Sequence, residues 1–284
     1  MQMHQSDGRA PAAWICPVCR ESLALVGEAR RWQCPSGHSY DVAREGYVNL
    51  LPPQHRRSRQ PGDSPEMIRA RRRFLATGAY DPMSTALAKI IASEGPKTVL
   101  DVGCGEGRHT RFISAPMVQA VDVAKAAVAA AARSDDAGWY AVASAADLPV
   151  ADSSVDVAMA AFSPVISAEL ARVIRPGGVV VIAHPGRAHL AKLRALVYPD
   201  ARPHTPRTQL ADGSAWFTEV GRHSVTFPVA VTEASGLRDL YAMTPYRWHA
   251  PRDIGDRINS AARNGFETVA DITLTICERS ERQL

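Results

Sequence analysis

The chain lacks any uninterrupted apolar run near the roughly 20 residues that a membrane helix needs, so no membrane span is expected. No secretory leader is expected either. The opening residues, MQMHQSDGRAPA, have neither a basic start nor an apolar stretch, and residues 1–13 read as a flexible tail, with the cytoplasm as the default compartment. Cysteine is scarce and odd in number, five in 284 residues, which without a secretion signal argues against a disulfide framework. Strong charge imbalance is missing too: a net charge of +4 does not by itself name a polyanionic partner. No internal repeat is present. What remains is an ordinary globular composition, 46% hydrophobic and 22% charged, with room for one α/β domain of roughly 200 residues and a smaller appendage.

Three of the five cysteines crowd into the N-terminal stretch with a histidine. Cys16 and Cys19 form a CxxC pair, and Cys34 with His38 forms a CxxxH pair after fourteen intervening residues. Three thiolates and one imidazole saturate tetrahedral zinc, leaving no open position for water, so the metal is expected to be structural. It would staple residues 14–50, which are rich in turns and short of a core. The alternative is two unrelated reduced pairs or a redox CxxC. Cys104 and Cys277 fall in the other domain, where simple burial suffices.

Residues 51–64 carry prolines, a glycine and charges, and read as a basic linker leading into a larger domain over 65–284. Seven arginines lie between His55 and Arg73, against Asp63 and Glu66. Of these, Arg56, Arg57, Arg59, Arg69, Arg72 and Arg73 are candidates for phosphate contacts in RNA. Ser64 and Pro65 predict a helix start and Gly78 its end. Met67, Ile68, Phe74 and Leu75 share its apolar stripe, and Arg71 projects within that stripe, so its guanidinium either pairs with a carboxylate or opens into a cleft.

From Lys97 onward, strands expected at 97–102, 118–123, 139–143, 155–161, 178–183, 224–231 and 268–277 alternate with helices near 81–93, 107–114, 124–133, 166–174, 187–197, 233–242 and 252–264. That is the pattern of a mostly parallel sheet of seven strands covered on both faces. The run from Val99 to Gly107, VLDVGCGEG, is an apolar strand entering a GxGxG turn. Arg108 stands where a dinucleotide fingerprint needs its third glycine, and no Gly-Lys-Ser/Thr ending marks a P-loop. The motif resembles that of class I Rossmann-like S-adenosylmethionine methyltransferases. Gly103, Gly105 and Gly107 let the backbone curve beneath such a cofactor. Asp101 can meet its ammonium, and the amides of His109 and Thr110, expected to open a helix, its carboxylate. Asp122, ending the next strand, can hold both ribose hydroxyls. At the adenine position Ser144 stands where that pattern has an aspartate, so backbone contacts from Ser144 and Ala145 must serve.

Across the junction, DVAREGYVNLLP (41–52) and ARRRFLATGAY (70–80), together with the three cysteines and His38, resemble the bacterial 23S ribosomal RNA guanine-N1 methyltransferases. The resemblance implies an α/β methyltransferase domain with a small N-terminal zinc-binding domain, methyl transfer to N1 of a guanine in a 23S rRNA stem-loop, and a homodimer. It also implies cofactor contacts from Tyr80, His109, Thr110 and His189. Read from the residues alone, Tyr80 is equally a core tyrosine and His189 a surface histidine. A flipped guanine needs an aromatic platform, for which Tyr246 and Trp248 are candidates, with core packing as their competing role. No Asn-Pro-Pro-Tyr motif follows the fourth strand, where Phe162-Ser163-Pro164 stands instead, which disfavours methylation of an exocyclic amine. No residue is identified as the proton acceptor. The competing function is a methyltransferase acting on a small molecule or a protein.

Overall fold

Apolar β-branched segments bounded by turns become strands where both faces are covered, and the segments expected to be strands do so here. The computed structural model describes residues 14–27, 30–53, 62–198, 210, 215–249, 251–263 and 265–280. The small N-terminal sheet is β1 (Ala24–Val26), β2 (Arg31–Gln33) and β3 (Ser39–Asp41), all antiparallel. A large sheet of eight strands follows, built from β4 (Val48–Asn49), β5 (Thr98–Val102), β6 (Met117–Asp122), β7 (Trp139–Val142), β8 (Val155–Ala161), β9 (Ile174–Pro185), β10 (Phe217–Val231) and β11 (Phe266–Arg279). Its order is β10-β11-β9-β8-β5-β6-β7-β4, parallel from β4 to β9 and antiparallel at the β9, β11 and β10 edge.

The helices are α1 (Pro65–Ala76), α2 (Asp81–Ser93), α3 (Lys125–Ser134), α4 (Ser167–Val173), α5 (Ala191–Val197), α6 (Ala234–Ala242) and α7 (Ile254–Ala262). None of the described helices is long and apolar enough to cross a membrane. At the start of α1 the Ser64 side chain accepts from the Met67 amide at 3.3 Å with Pro65 in the first turn, the capping arrangement expected of that sequence. Its buried stripe of Met67, Ile68, Ala70, Phe74 and Leu75 lies against the main domain.

Two findings depart from the sequence pattern. The sheet has an eighth strand, because Val48 and Asn49 pair in parallel with Ala141 and Val142, and the Leu50 amide donates to the Val142 carbonyl. Trp14 bridges to Val150, and one buried cluster joins Trp14, Cys16, Trp32 and Cys34 to Leu100, Val121 and Leu148. The N-terminal segment thus borrows its core from the sheet. The second departure is at 107–114, where only a single 3-10 turn, Thr110–Phe112, forms instead of a helix. Gly107 is left-handed at φ +77°, Ile113 is already extended, and Pro116 bars helix just before β6.

The chain runs outward from β5 to β6 and β7, then returns to β8 on the other side of β5. That reversal opens a crevice beyond the carboxyl ends of β5 and β8, the general position of ligands in open parallel sheets.

Candidate active site and metal centre

The zinc ligands expected from spacing converge. One ligand atom from each of Cys16, Cys19, Cys34 and His38 lies within 4.8 Å of the others. The Cys19 and Cys34 sulfurs are 3.6 Å apart, and Cys34 Sγ is 3.4 Å from His38 Nδ1. A zinc tetrahedron has S–S edges of about 3.8 Å and S–N edges of about 3.5 Å, so the donor set fits the ion. The two knuckles turn tightly: the Arg20 amide returns to the Cys16 carbonyl, and the Gly37 amide, left-handed at φ +85°, returns to the Cys34 carbonyl. Outer contacts orient the sulfurs, with the Val18 amide donating to Cys16 Sγ at 3.4 Å and Tyr40 Oη 3.2 Å from the same sulfur. Cys104 and Cys277 are buried, apart from this cluster.

At the crevice, β5 delivers Asp101 and β6 delivers Asp122. Asp101 is 1% exposed; its Oδ2 accepts from Thr110 Oγ1 at 2.6 Å, and its Oδ1 is buried with no partner. Burial, with Asp122 and Glu106 adding repulsion, pushes its carboxyl up to about 7. A buried, unpaired carboxylate oxygen calls for a cationic donor, and the ammonium of a methionyl group is one. Asp122 Oδ2 accepts the Gly105 amide at 2.9 Å and Oδ1 accepts the Ala124 amide at 2.8 Å, so the carboxylate is aimed and held at the strand end. Burial raises it as well, with these amides and Arg71 opposing.

Glycine is required at two points of the turn. Gly103, at φ +79°, would place a Cβ overlapping Ser163 Cβ, and Gly107 would place one 2.9 Å from Ala131 Cβ. Gly105 is also left-handed, at φ +56°. The Thr110 hydroxyl is spent on Asp101, and with no helix behind it the 3-10 turn offers a weaker anion site than the expected helix start. His109 is half-buried, its Nδ1 2.8 Å from Ser84 Oγ. Burial and the charges of Arg71 and Arg108 bring it down to about 4, so it is a neutral ring at neutral pH.

Arg71 does both things its position allowed. Its Nη2 pairs with Asp63 at 2.5 Å, and its Nη1 reaches to 3.6 Å from the Cβ position of Gly105, over the turn. That charge draws the buried Glu106 and Asp122 carboxyls down against their desolvation. Ser144 and Ala145 are half-buried at the end of β7, where the Ser144 hydroxyl accepts from the Ala146 amide.

Tyr80 is 3% exposed and packs edge-on against Phe74 and Phe227, with Oη 3.5 Å from His189 Nε2. His189, 8% exposed, has its ring 5.7 Å from that of Phe162. Tyr80 and His189 are therefore brought together, 109 residues apart in sequence.

The arginines separate. Arg69 pairs with Glu66 at 3.2 Å, Arg72 is exposed, and Arg73 is gripped by Asp239 through two bonds of 2.7 and 2.5 Å. Arg56, Arg57 and Arg59 lie outside the described residues, as does the side chain of Trp248. Tyr246 is half-buried, its ring 6.1 Å from that of Tyr198, whose hydroxyl donates to the Tyr246 carbonyl. Phe162, Ser163, Asp63 and Ser84 join the site without having been singled out for it. Phe162-Ser163-Pro164 stood out only as the segment after the fourth strand.

Comparison with known proteins agrees with both centres. A family model described as RlmA, N-terminal, a zinc ribbon, matches residues 14–59, and one described as Methyltransferase domain matches residues 100–182. The 23S rRNA (guanine(748)-N(1))-methyltransferase of Streptomyces fradiae is 31% identical over 272 residues, covering 92% of this chain and 95% of that one. A protein of Micromonospora griseorubida, provisionally named 23S rRNA (guanine-N(1)-)-methyltransferase, is 35% identical over 264 residues, covering 82% of this chain and 86% of its own length. One from Bacillus subtilis with the same provisional name is 30% identical over 84% of this chain and 88% of its own. With its zinc ribbon, its glycine turn and these relatives along nearly its whole length, the chain belongs to the 23S rRNA guanine-N1 methyltransferase family.

Proposed function

We propose that this protein transfers the methyl group of S-adenosylmethionine to N1 of a guanine in a 23S rRNA stem-loop, and that it acts as a homodimer. The observation that carries the reading is the orphaned Asp101 Oδ1 beside the glycine turn, with Asp122 fixed by two amides at the next strand end. When bound, the cofactor supplies an electrophilic sulfonium methyl. Asp101 holds its ammonium, Asp122 its ribose, and Arg71 lends positive charge near the turn; Tyr80, His109, Thr110 and His189 surround its methionyl end, and Ser144 and Ala145 the adenine. The target guanine leaves its stack to reach the methyl, and its N1 proton departs as the new bond forms. Residues 14–50 form the zinc unit, residues 51–64 a basic linker, and residues 65–284 the methyltransferase domain. Arg56, Arg57, Arg59, Arg69 and Arg72 meet phosphates. Arg73, held by Asp239 through two bonds, makes none of these contacts.

The test is incubation of the zinc-loaded protein with labelled S-adenosylmethionine and a 23S rRNA transcript, followed by mass-spectrometric mapping. One N1-methylguanine at a single site is expected. Label on a metabolite or protein, with none on the rRNA, overturns the reading.

A further inference from the structure

Phe162 stands in the crevice at a cost that nothing in the core explains. It is 43% exposed, the one exposed aromatic side chain among the described residues, whereas Phe74, Phe217 and Phe227 are all buried. Its backbone is left-handed, at φ +56°, a conformation that a bulky L-residue rarely adopts. Two contacts lock that geometry: the Phe162 amide donates to the Ala183 carbonyl at 2.9 Å, and Ser163 Oγ donates to the Val102 carbonyl at 2.5 Å. Ser163 fills the space that the missing Cβ of Gly103 leaves. Exposure and strain therefore coincide at the carboxyl end of β8, directly beside the cofactor turn. The ring lies 5.7 Å from His189, tilted by 36°, and Ile166, 39% exposed, follows in the same short loop.

Resting on the function proposed above, we infer that Phe162 is the stacking platform on which the extruded guanine lies. An unstacked purine loses its neighbours' π-faces, and an exposed phenyl restores one without asking for a hydrogen bond. The platform must border the methyl donor, and Phe162 does so through Ser163 and Gly103. It also has to be rigid; the two backbone and hydroxyl bonds supply that. Tyr246 meets these conditions less well, being half-buried against Tyr198 with its carbonyl engaged.

The experiment uses the full-length, zinc-loaded protein and an rRNA stem-loop containing the mapped guanine. Wild type, Phe162→Ala, Phe162→Leu and Phe162→Trp are compared in single-turnover methylation, in calorimetric binding of S-adenosylhomocysteine, and in fluorescence of a stem-loop carrying 2-aminopurine at the target position. Loss of one base–aromatic stack lowers the rate roughly tenfold to a hundredfold. That loss is expected in Phe162→Ala and Phe162→Leu, with rescue in Phe162→Trp, unchanged S-adenosylhomocysteine affinity, and a smaller 2-aminopurine enhancement. Methylation by Phe162→Ala or Phe162→Leu within twofold of wild type overturns the inference. So does loss of S-adenosylhomocysteine binding in Phe162→Ala, which would make the ring a packing residue of the cofactor site. Failure of the wild type to methylate rRNA instead sinks the proposed function and is read separately.

Discussion

Replacing Asp101 with Asn should move stability and cofactor affinity in opposite directions. The Asp101 carboxyl rises from its ordinary value of 3.8 to about 7 because the fold buries it. At 1.36 kcal/mol per pH unit, holding it ionised costs the cofactor-free protein about 4 kcal/mol. The folded value lies above the unfolded one, so the cost is absent below pH 3.8, grows as pH rises, and is nearly complete at pH 7. Asparagine removes the charge while its carbonyl keeps the bond from Thr110 Oγ1. Its amide then occupies the position of the unpartnered Oδ1, returning about 1–2 kcal/mol of the gain. The net stabilisation is about 2–3 kcal/mol at pH 7.5, or roughly 5–10 °C in Tm for a domain of this size. With Asp101 in its proposed role, cofactor binding loses a buried ammonium–carboxylate pair, about 2–5 kcal/mol, so the Kd for S-adenosylhomocysteine rises by a factor of roughly 30 or more. In the wild type the ammonium favours the ionised form, so binding below pH 7 releases a proton and weakens as the solution is acidified; Asp101→Asn flattens that dependence. Thermal melting with and without ligand from pH 5.5 to 8, together with calorimetry, measures all three. An Asp101→Asn protein that melts no higher than wild type at pH 7.5, or that binds S-adenosylhomocysteine equally well, refutes the reasoning.

Gly103→Ala forces a Cβ onto Ser163 at a left-handed φ of +79° and should cost about 2–5 kcal/mol, with part recovered in the Gly103→Ala, Ser163→Gly double variant; denaturant melts check it. Chelating zinc should release the N-terminal knuckles and change tryptophan emission, because Trp32 sits edge-on to Trp139 at 5.6 Å; emission tracked against zinc content is the assay, and an unaltered spectrum of metal-free protein counts against a stapling metal. Arg72→Ala should reduce the slope of log affinity against log salt for rRNA by about one, whereas Arg73→Ala leaves it unchanged because Asp239 already holds that guanidinium; equal slopes for the two variants contradict the distinction.

Local order along the chain determined the metal donors, the glycine turn and the two acidic strand ends. Cys16, Cys19, Cys34 and His38 sit on tight turns whose spacing dictates where a sulfur or ring nitrogen can point, and Asp101 and Asp122 are positioned by the strands that carry them. Strand and helix types were legible for the same reason, since burial on one or both faces leaves a short-period trace. The missing helix after Gly107 was less so: Arg111, Phe112 and Ile113 have acceptable helical chemistry, and the left-handed glycine with the approaching Pro116 prevailed.

Tertiary structure alone decided the pairings across distance. Only folding brings Tyr80 to His189, draws Arg71, paired with Asp63, over Gly105, and seats Arg73 on Asp239. Nor does periodicity reveal that Val48 and Asn49 extend the large sheet or that Phe162 stays bare. Both depend on which surfaces remain uncovered once every element has packed, and that is a property of the assembled layers rather than of any neighbouring stretch of chain.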